Sequence, residues 1–458
     1  MRAAIPRIAP VAVLLLAIAG VTTWLVAGVG VLTGKQIPIH LAAEGVCWTL
    51  FTAAVLLLQR VPRRAAPALV LAGALLVGAA GATGQPTIST DSARYSWDGI
   101  VQDAGISPYA HVPADAALAP LRPSWLFPAA GTAPDGTTVC PGPRAEPTEQ
   151  VGAPGEICTS INRPRVPTIY PPVAEALFAL ARIAVPPEVG YLPVQLLGLL
   201  AVLATTALLL RTLPRVGRDP RWAAAFGWCP FVTMDAVTNA HVDAAAAFLA
   251  LAATVLLVSG RSVRGGIVLG LAIATKFLPL LVVPPLARRR PVLLAATALG
   301  TVALVYVPHV LAVGPSVIGY LPGYLNEEGY DDGSRSALLA VLLPDGASTL
   351  VAVALLAALA VLLLLRTDPR DPWAAQTAMI GAALVLLSPR YSWYSLLLVP
   401  FIVMSGRWEW FGVVLTLSVL ALQRDLWAFR SVLLVALALV LVASWARRRL
   451  ATPRLKAG

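Results

Sequence analysis

Apolar runs of about 20 residues recur along this chain, and no other feature constrains its fold as tightly. A bilayer core about 30 Å thick needs roughly that many mostly apolar residues for each helical crossing. Of the 458 residues, 58% are hydrophobic and only 12% are charged. A soluble chain carries about twice that charged fraction. The runs predict spans near 11–32, 39–59, 66–83, 191–211, 221–237, 240–259, 291–313, 347–365, 373–388, 391–406, 409–423 and 429–446. The first has no small-x-small cleavage site leading into a polar segment and is soon followed by more spans, so it reads as a membrane helix rather than a cleaved signal peptide. The expected fold is all-α and polytopic, a single membrane domain over 1–458 with about 12 transmembrane helices.

Charge placement orients the spans. The net charge is +11, and lysine occurs only at Lys35, Lys276 and Lys456. Arginines cluster in short connectors: Arg60, Arg63 and Arg64; Arg211, Arg215, Arg218 and Arg221; Arg261 and Arg264; Arg288, Arg289 and Arg290; Arg366 and Arg370; Arg447, Arg448 and Arg449. Such connectors lie on the cytoplasmic side by the positive-inside rule. Segment 265–287 breaks the alternation, because arginines flank it on both sides and it carries Lys276, Pro279, Pro284 and Pro285. Proline removes a backbone donor and disfavours continuous helix. The segment therefore reads as a re-entrant hairpin from the cytoplasm, a form tolerated where protein or a water-filled cavity surrounds it. The alternative is a full span that reverses all later orientations. No separate basic domain or aromatic platform exists to hold nucleic acid.

This order makes 84–190 a long extracytoplasmic loop and 314–346 a second one. Cys140 and Cys158 lie in the first, whereas Cys47 and Cys229 sit in apolar spans. In an oxidising compartment the two loop cysteines can pair and staple the loop, or stay as free thiols.

Candidate chemistry gathers at the outer ends of spans. The loop opens with Thr90-Asp91-Ser92-Ala93-Arg94-Tyr95-Ser96-Trp97-Asp98-Gly99, followed by Gly105-Ile106-Ser107-Pro108-Tyr109. These residues predict a short surface helix closing near Gly105. Asp91 reads either as the cap of that helix or as a functional carboxylate, and Tyr95 and Trp97 either as aromatic-belt residues or as part of a site. Tyr170-Pro171-Pro172 precedes a helical pattern through Val173, Leu177 and Leu180. Asn239-Ala240-His241-Val242-Asp243 places ionisable groups at a span end, where they suggest function or a mutually satisfied His–Asp pair. Arg390-Tyr391-Ser392-Trp393-Tyr394 forms a tight outer turn, and the acidic run Glu327, Glu328, Asp331, Asp332 reads as a solvated face rather than a metal site.

Taken in order, Arg-Tyr-x-Trp-Asp-Gly, Gly-x-x-Pro-Tyr, Tyr-Pro-Pro, Asn-x-His-x-Asp, an intramembrane Lys followed by Pro, and Tyr-x-Trp-Tyr resemble the GT-C superfamily. Within it the chain is most similar to actinobacterial polyprenol-phosphate-mannose-dependent mannosyltransferases of the cell envelope. The resemblance runs from Asp91 to Tyr394, and it implies an inverting transfer at the outer face of the plasma membrane. The sugar, mannose by resemblance, passes from a polyprenyl-phosphate donor to a glycan or glycolipid acceptor. By matching position Asp91 is the catalytic base. Arg94, Tyr95, Trp97, Asp98, Tyr170, His241, Asp243, Lys276, Arg390, Tyr391, Trp393 and Tyr394 are expected around donor phosphate or sugar. Lys276 is a weaker candidate than Arg94, His241 and Arg390, since it has to reach from a hairpin tip. Thr90 and Ser92 flank a single Asp where many relatives have two acids, so no cofactor is expected and the need for a divalent metal is left open. The loop also follows the third span rather than the first, which implies extra N-terminal helices. The rival class is a transporter or flippase for a lipid-linked sugar, which a broken helix at membrane depth also suits.

Overall fold

The computed structural model describes residues 5–328, 336–344, 346–389, 391–422 and 425–451. Helices α2 (Ile37–Leu58) and α3 (Ala66–Gly81) both pack on α1 (Ile5–Thr23) ahead of a shorter helix α4 (Asp91–Asp103). A polar stretch then holds two antiparallel hairpins. In the first, β1 (Gly131–Thr132) pairs with β2 (Thr138–Val139); in the second, β3 (Glu146–Glu149) pairs with β4 (Glu156–Thr159), Glu146 facing Thr159. Cys140 and Cys158 are joined by a disulfide, Cα to Cα 5.5 Å, which ties the end of the first hairpin to β4.

Helix α5 (Pro172–Arg182) lies against α4, and α6 (Leu192–Thr212) runs beside α3. The short helices α7 (Ala224–Gly227) and α8 (Pro230–Val232) lead through a π-helical turn, Thr233–Thr238, into α9 (Asp243–Val258). The axes of Pro230–Thr238 and Asp243–Val258 differ by 115°. Helix α10 (Ser262–Ile273) packs on α9 and α11 (Pro291–Val313) and ends in a turn at Thr275 and Lys276, from which the 3-10 turn Leu278–Val282 descends. The chain comes back to its starting level: a Cβ on Gly260 would stand 3.9 Å from Arg289 Nη2. After α12 (Leu321–Glu327) come α13 (Ala347–Arg366), α14 (Trp373–Leu387), α15 (Leu398–Ser405), α16 (Phe411–Leu422) and α17 (Leu426–Ala451).

The outside of this bundle is apolar. Leu299, Leu311 and Leu350 are 67%, 81% and 73% exposed, while Gln376, Thr377, Asp235 and Asp243 are buried. Large contiguous apolar faces do not survive in water, so the helices that bear them face lipid. The protein is a polytopic membrane protein. The expected twelve full spans are not what the helices show. Among the described residues six stretches have spanning length: Arg7–Val29, Gly34–Leu58, Leu192–Val216, Pro291–Glu327, Ala347–Arg366 and Leu426–Arg449. The bent pair makes a seventh if counted as one. The remaining apolar helices have 10–17 residues. At 1.5 Å per residue, 16-residue α3 is about 24 Å long and falls short of the hydrocarbon thickness. Length is lost where Pro230 and the π-turn interrupt the apolar run 221–237 that sequence reads as continuous.

Helix α4 is a buried element, which corrects the expectation of a surface helix. Every residue from Ser92 to Val101 is buried. One side, Ala93, Trp97 and Val101, meets Leu118, Leu126 and Ile161 of the following loop. Another side places Tyr95 with Ala174 and Phe178 of α5 and Val194 of α6. Gly99 permits this approach, since a Cβ there would stand 2.5 Å from Phe178 O and 2.7 Å from Arg182 Cγ. That packing fixes which way the third side of α4 points.

Candidate active site

Asp91, Arg94 and Asp98 fall at i, i+3 and i+7 and so share one side of α4. Asp91 and Arg94 open onto a cavity of about 500 Å³. Asp91 is the first residue of the helix, and its carboxylate does not cap it. Its Oδ1 accepts from Asn162 Nδ2 at 2.9 Å, and its own backbone N–H donates to Ser89 Oγ at 3.1 Å. The Asp91 side chain keeps 17% of its surface exposed to the cavity. Burial raises its pKa above the usual aspartate range, while the Lys276 charge and the Asn162 hydrogen bond pull the other way.

Arg94 Nε donates to both oxygens of Asp98, at 2.9 and 3.0 Å, and Nη1 donates to the Val166 carbonyl at 3.1 Å. Its Nη2 has no hydrogen-bond partner among the described residues. Behind the pair lies Glu175, fully buried, accepting from Thr168 Oγ1 at 2.7 Å and from Gln102 Nε2 at 2.8 Å. Desolvation, with the Asp98 charge beside it, drives the Glu175 carboxyl well up. Burial raises Asp98 as well, with the Arg94 charge pulling it back, so of the two carboxyls Glu175 is the one pushed further up.

The opposite wall of the cavity carries Lys276. Its Nζ donates to Asp243 Oδ2 at 2.6 Å and sits 4.6 Å from the centre of the Tyr394 ring. The turn after α10 therefore carries this lysine to the cavity wall. A backbone bond from Val173 N–H to the Ala274 carbonyl, 3.0 Å, locks that turn to the start of α5. Tyr170, Tyr391, Trp393 and Tyr394 also line the cavity, and Phe277, Leu278, Leu281, Leu321, Leu384 and Leu387 make an apolar wall. Tyr324 Oη and Tyr394 Oη lie 2.8 Å apart across it.

Five expected contact residues do not line the cavity. Trp97 belongs to the loop core, Tyr95 stacks on Phe178 at 4.4 Å, and Asp98 is sealed behind Arg94. Asp243 reaches the site only through Lys276, and His241 is buried behind Asp91, stacked on Trp393 with ring centres 3.9 Å apart. Arg390 lies outside the described residues. Sequence reading missed Asn162, Glu175 and Asp235. Glu175 had a legible signal: with Phe178 and Arg182 it keeps the i, i+3, i+7 spacing of a buried helix side, whereas Leu180, assigned to that side, is 60% exposed. Asn162 and Asp235 carried none.

Such a site offers a carboxylate, two cations and a greasy wall around one space. Residues 168–389 match the model of glycosyltransferase family 87. The match indicates a glycosyltransferase. It covers just under half the chain, from α5 to the end of α14, and so includes His241, Asp243 and Lys276 but neither Asp91 nor Tyr391. No curated protein and no solved structure matches the chain. Chemically, a carboxylate of this kind can take a proton and cationic donors can hold an anion. Among the described residues, no group of three or more His, Cys, Asp and Glu side chains is placed to hold a metal ion.

Proposed function

We propose that this protein is an inverting glycosyltransferase that moves a sugar, mannose by resemblance, from a polyprenyl-phosphate donor to a glycan or glycolipid acceptor at the outer face of the plasma membrane. One observation carries the reading: a single cavity presents Asp91 on one wall, Lys276 and Arg94 toward its interior, and an apolar wall through Phe277, Leu281 and Leu387. Asp91 removes the acceptor proton as the hydroxyl attacks the anomeric carbon. Lys276, with the Arg94 charge on the facing wall, offsets the charge of the leaving polyprenyl phosphate. The apolar wall seats the first isoprenyl units, and Tyr391, Trp393 and Tyr394 present rings for the sugar. The outer-face orientation rests on the arginine connectors, which also make 265–287 a re-entrant hairpin whose tip brings Lys276 to the site.

The test is transfer by the purified chain in detergent, from synthetic polyprenyl-phosphate mannose to a mannoside acceptor. The expected product carries the inverted anomeric configuration. No transfer by folded protein, together with movement of the lipid-linked sugar across vesicles, would replace this reading with a transporter.

A further inference from the structure

One side chain next to the site that the cavity's chemistry leaves unexplained is His241. It is fully buried, it does not line the cavity, and neither ring nitrogen has a hydrogen-bond partner among the described residues. Burying an imidazole with both nitrogens bare is costly, and such groups in folded proteins call for an explanation. The two ring edges face two carboxylates. Nδ1 stands 3.7 Å from Asp91 Oδ2, and Nε2 stands 4.0 Å from Asp235 Oδ1.

We propose that Asp91, His241 and Asp235 form a proton relay that carries the acceptor's proton out of the cavity and into the bundle. This rests on the reading of Asp91 as the base. Stacking on Trp393 at 19° holds the ring plane, and the His241 backbone N–H donates to the Asp235 carbonyl at 3.0 Å, so the imidazole has little freedom to turn elsewhere. Both gaps exceed a hydrogen bond by about 1 Å or less. Catalytic hydrogen bonds are often long in an empty site and shorten when substrate binds. Trp393 lines the cavity, so a sugar seated against it presses on the ring that joins the two carboxylates.

The remaining charged groups nearby are already engaged or lie beyond the relay. Lys276, from the turn after α10, is bonded to Asp243 of α9. Asp235, from the π-helical turn, accepts from Ser392 Oγ at 2.9 Å and shares a small internal cavity with Glu44 of α2. The step balances as follows. The acceptor oxygen bonds to the anomeric carbon, and the bond to phosphate oxygen breaks, its electron pair leaving with the polyprenyl phosphate. The acceptor O–H proton passes to Asp91 Oδ2. It moves on to His241 Nδ1 while the Nε2 proton passes to Asp235 Oδ1. The imidazole ends neutral in its other tautomer, Asp91 is ionised again, and the proton no longer sits where it could return to the new glycosidic oxygen. After products leave, the proton returns by the same route to water in the cavity.

His241 and Asp235 are positioning residues in this scheme, acting through Asp91. The experiment compares wild type, Asp235→Asn, His241→Gln and the double variant in the transfer assay. Asparagine still accepts from Ser392, and Asp235 touches neither Asp91 nor the cavity, so Asp235→Asn carries the test should His241→Gln not fold. Expected is a kcat loss of about tenfold or more in each single variant with KM little changed, and no further loss in the double. The rate in mixed light and heavy water should curve with deuterium content in wild type, where several protons move, and become linear in Asp235→Asn. Wild-type kcat in the single variants, losses that multiply in the double, or an unchanged curve in Asp235→Asn would remove the relay and leave the transferase reading standing. No transfer by wild type would remove both.

Discussion

Replacing Asp91 by asparagine separates catalysis from folding at this site. The side chain keeps its shape, and the amide oxygen can still accept from Asn162 Nδ2, now 2.9 Å from the carboxylate. The helix start is held by the Asp91 backbone N–H on Ser89 Oγ, which the substitution does not touch. Stability should therefore move by no more than about 1 kcal/mol. Transfer should not be spared. General base catalysis supplies about 10²–10⁴ in rate, so kcat should fall by that factor, about 3–5 kcal/mol in the barrier. Asp98→Asn should behave in the opposite way. It strips Arg94 of a partner that it contacts at 2.9 and 3.0 Å in a site where both side chains are nearly sealed. Breaking a buried pair costs about 3–5 kcal/mol of stability. The assay is kcat for sugar transfer alongside the thermal midpoint in detergent. The pH profile adds a sign: a base works ionised, and burial raises the Asp91 pKa, so kcat should fall with decreasing pH through a limb above the ordinary aspartate value of about 3.9. That limb should vanish in Asp91→Asn. Near-wild-type transfer by Asp91→Asn, or a catalytic loss without instability in Asp98→Asn, would refute the assignment.

Alkylation of freshly purified protein without reductant should leave Cys140 and Cys158 unmodified by intact mass, and labelling of both would contradict the disulfide. Gly99→Val should lower the thermal midpoint and impair transfer, because its side chain would meet the Phe178 carbonyl; the expected cost is about 1–3 kcal/mol, and unchanged stability would refute the close α4–α5 crossing. Single cysteines placed at Arg63 or Arg215 should resist impermeant thiol reagents on intact cells while one at Thr137 reacts, and labelling at Arg215 would overturn the orientation.

The membrane class was legible because hydropathy is a property of composition over about 20 residues, and α4 was legible from a capping-type residue at its start and Gly105 just past its end. Helix length was not. The run 221–237 reads as one span but breaks at Pro230 and the π-turn, and the bend is tied by distant partners: Gln195 of α6 donates to the Thr238 carbonyl, Thr238 Oγ1 donates to the Gly81 carbonyl of α3, and Asn239 Oδ1 accepts from the Thr87 backbone N–H. The site was half legible for the same reason. Asp91, Arg94, Lys276 and the late aromatic turn could be picked out by residue type at span ends. Asn162 and Asp235 gain their importance from partners 71 and 157 residues away, at Asp91 and Ser392, and no local pattern announces them. Trp97 and Tyr95 misled because large aromatics beside a membrane read alike whether they touch substrate or fill a core.

Asn239 closes two chain breaks at once. Its Oδ1 accepts from the backbone N–H groups of Thr87, Ile88 and Ser89, and its Nδ2 donates to the Met234 carbonyl. The segment that feeds Asp91 and the bend that carries His241 therefore share one rivet. For anyone recasting this enzyme toward a different sugar, 87–91 and 239–243 form a single machining surface: a graft that exchanges one segment without the other brings in a backbone whose seam has no matching half.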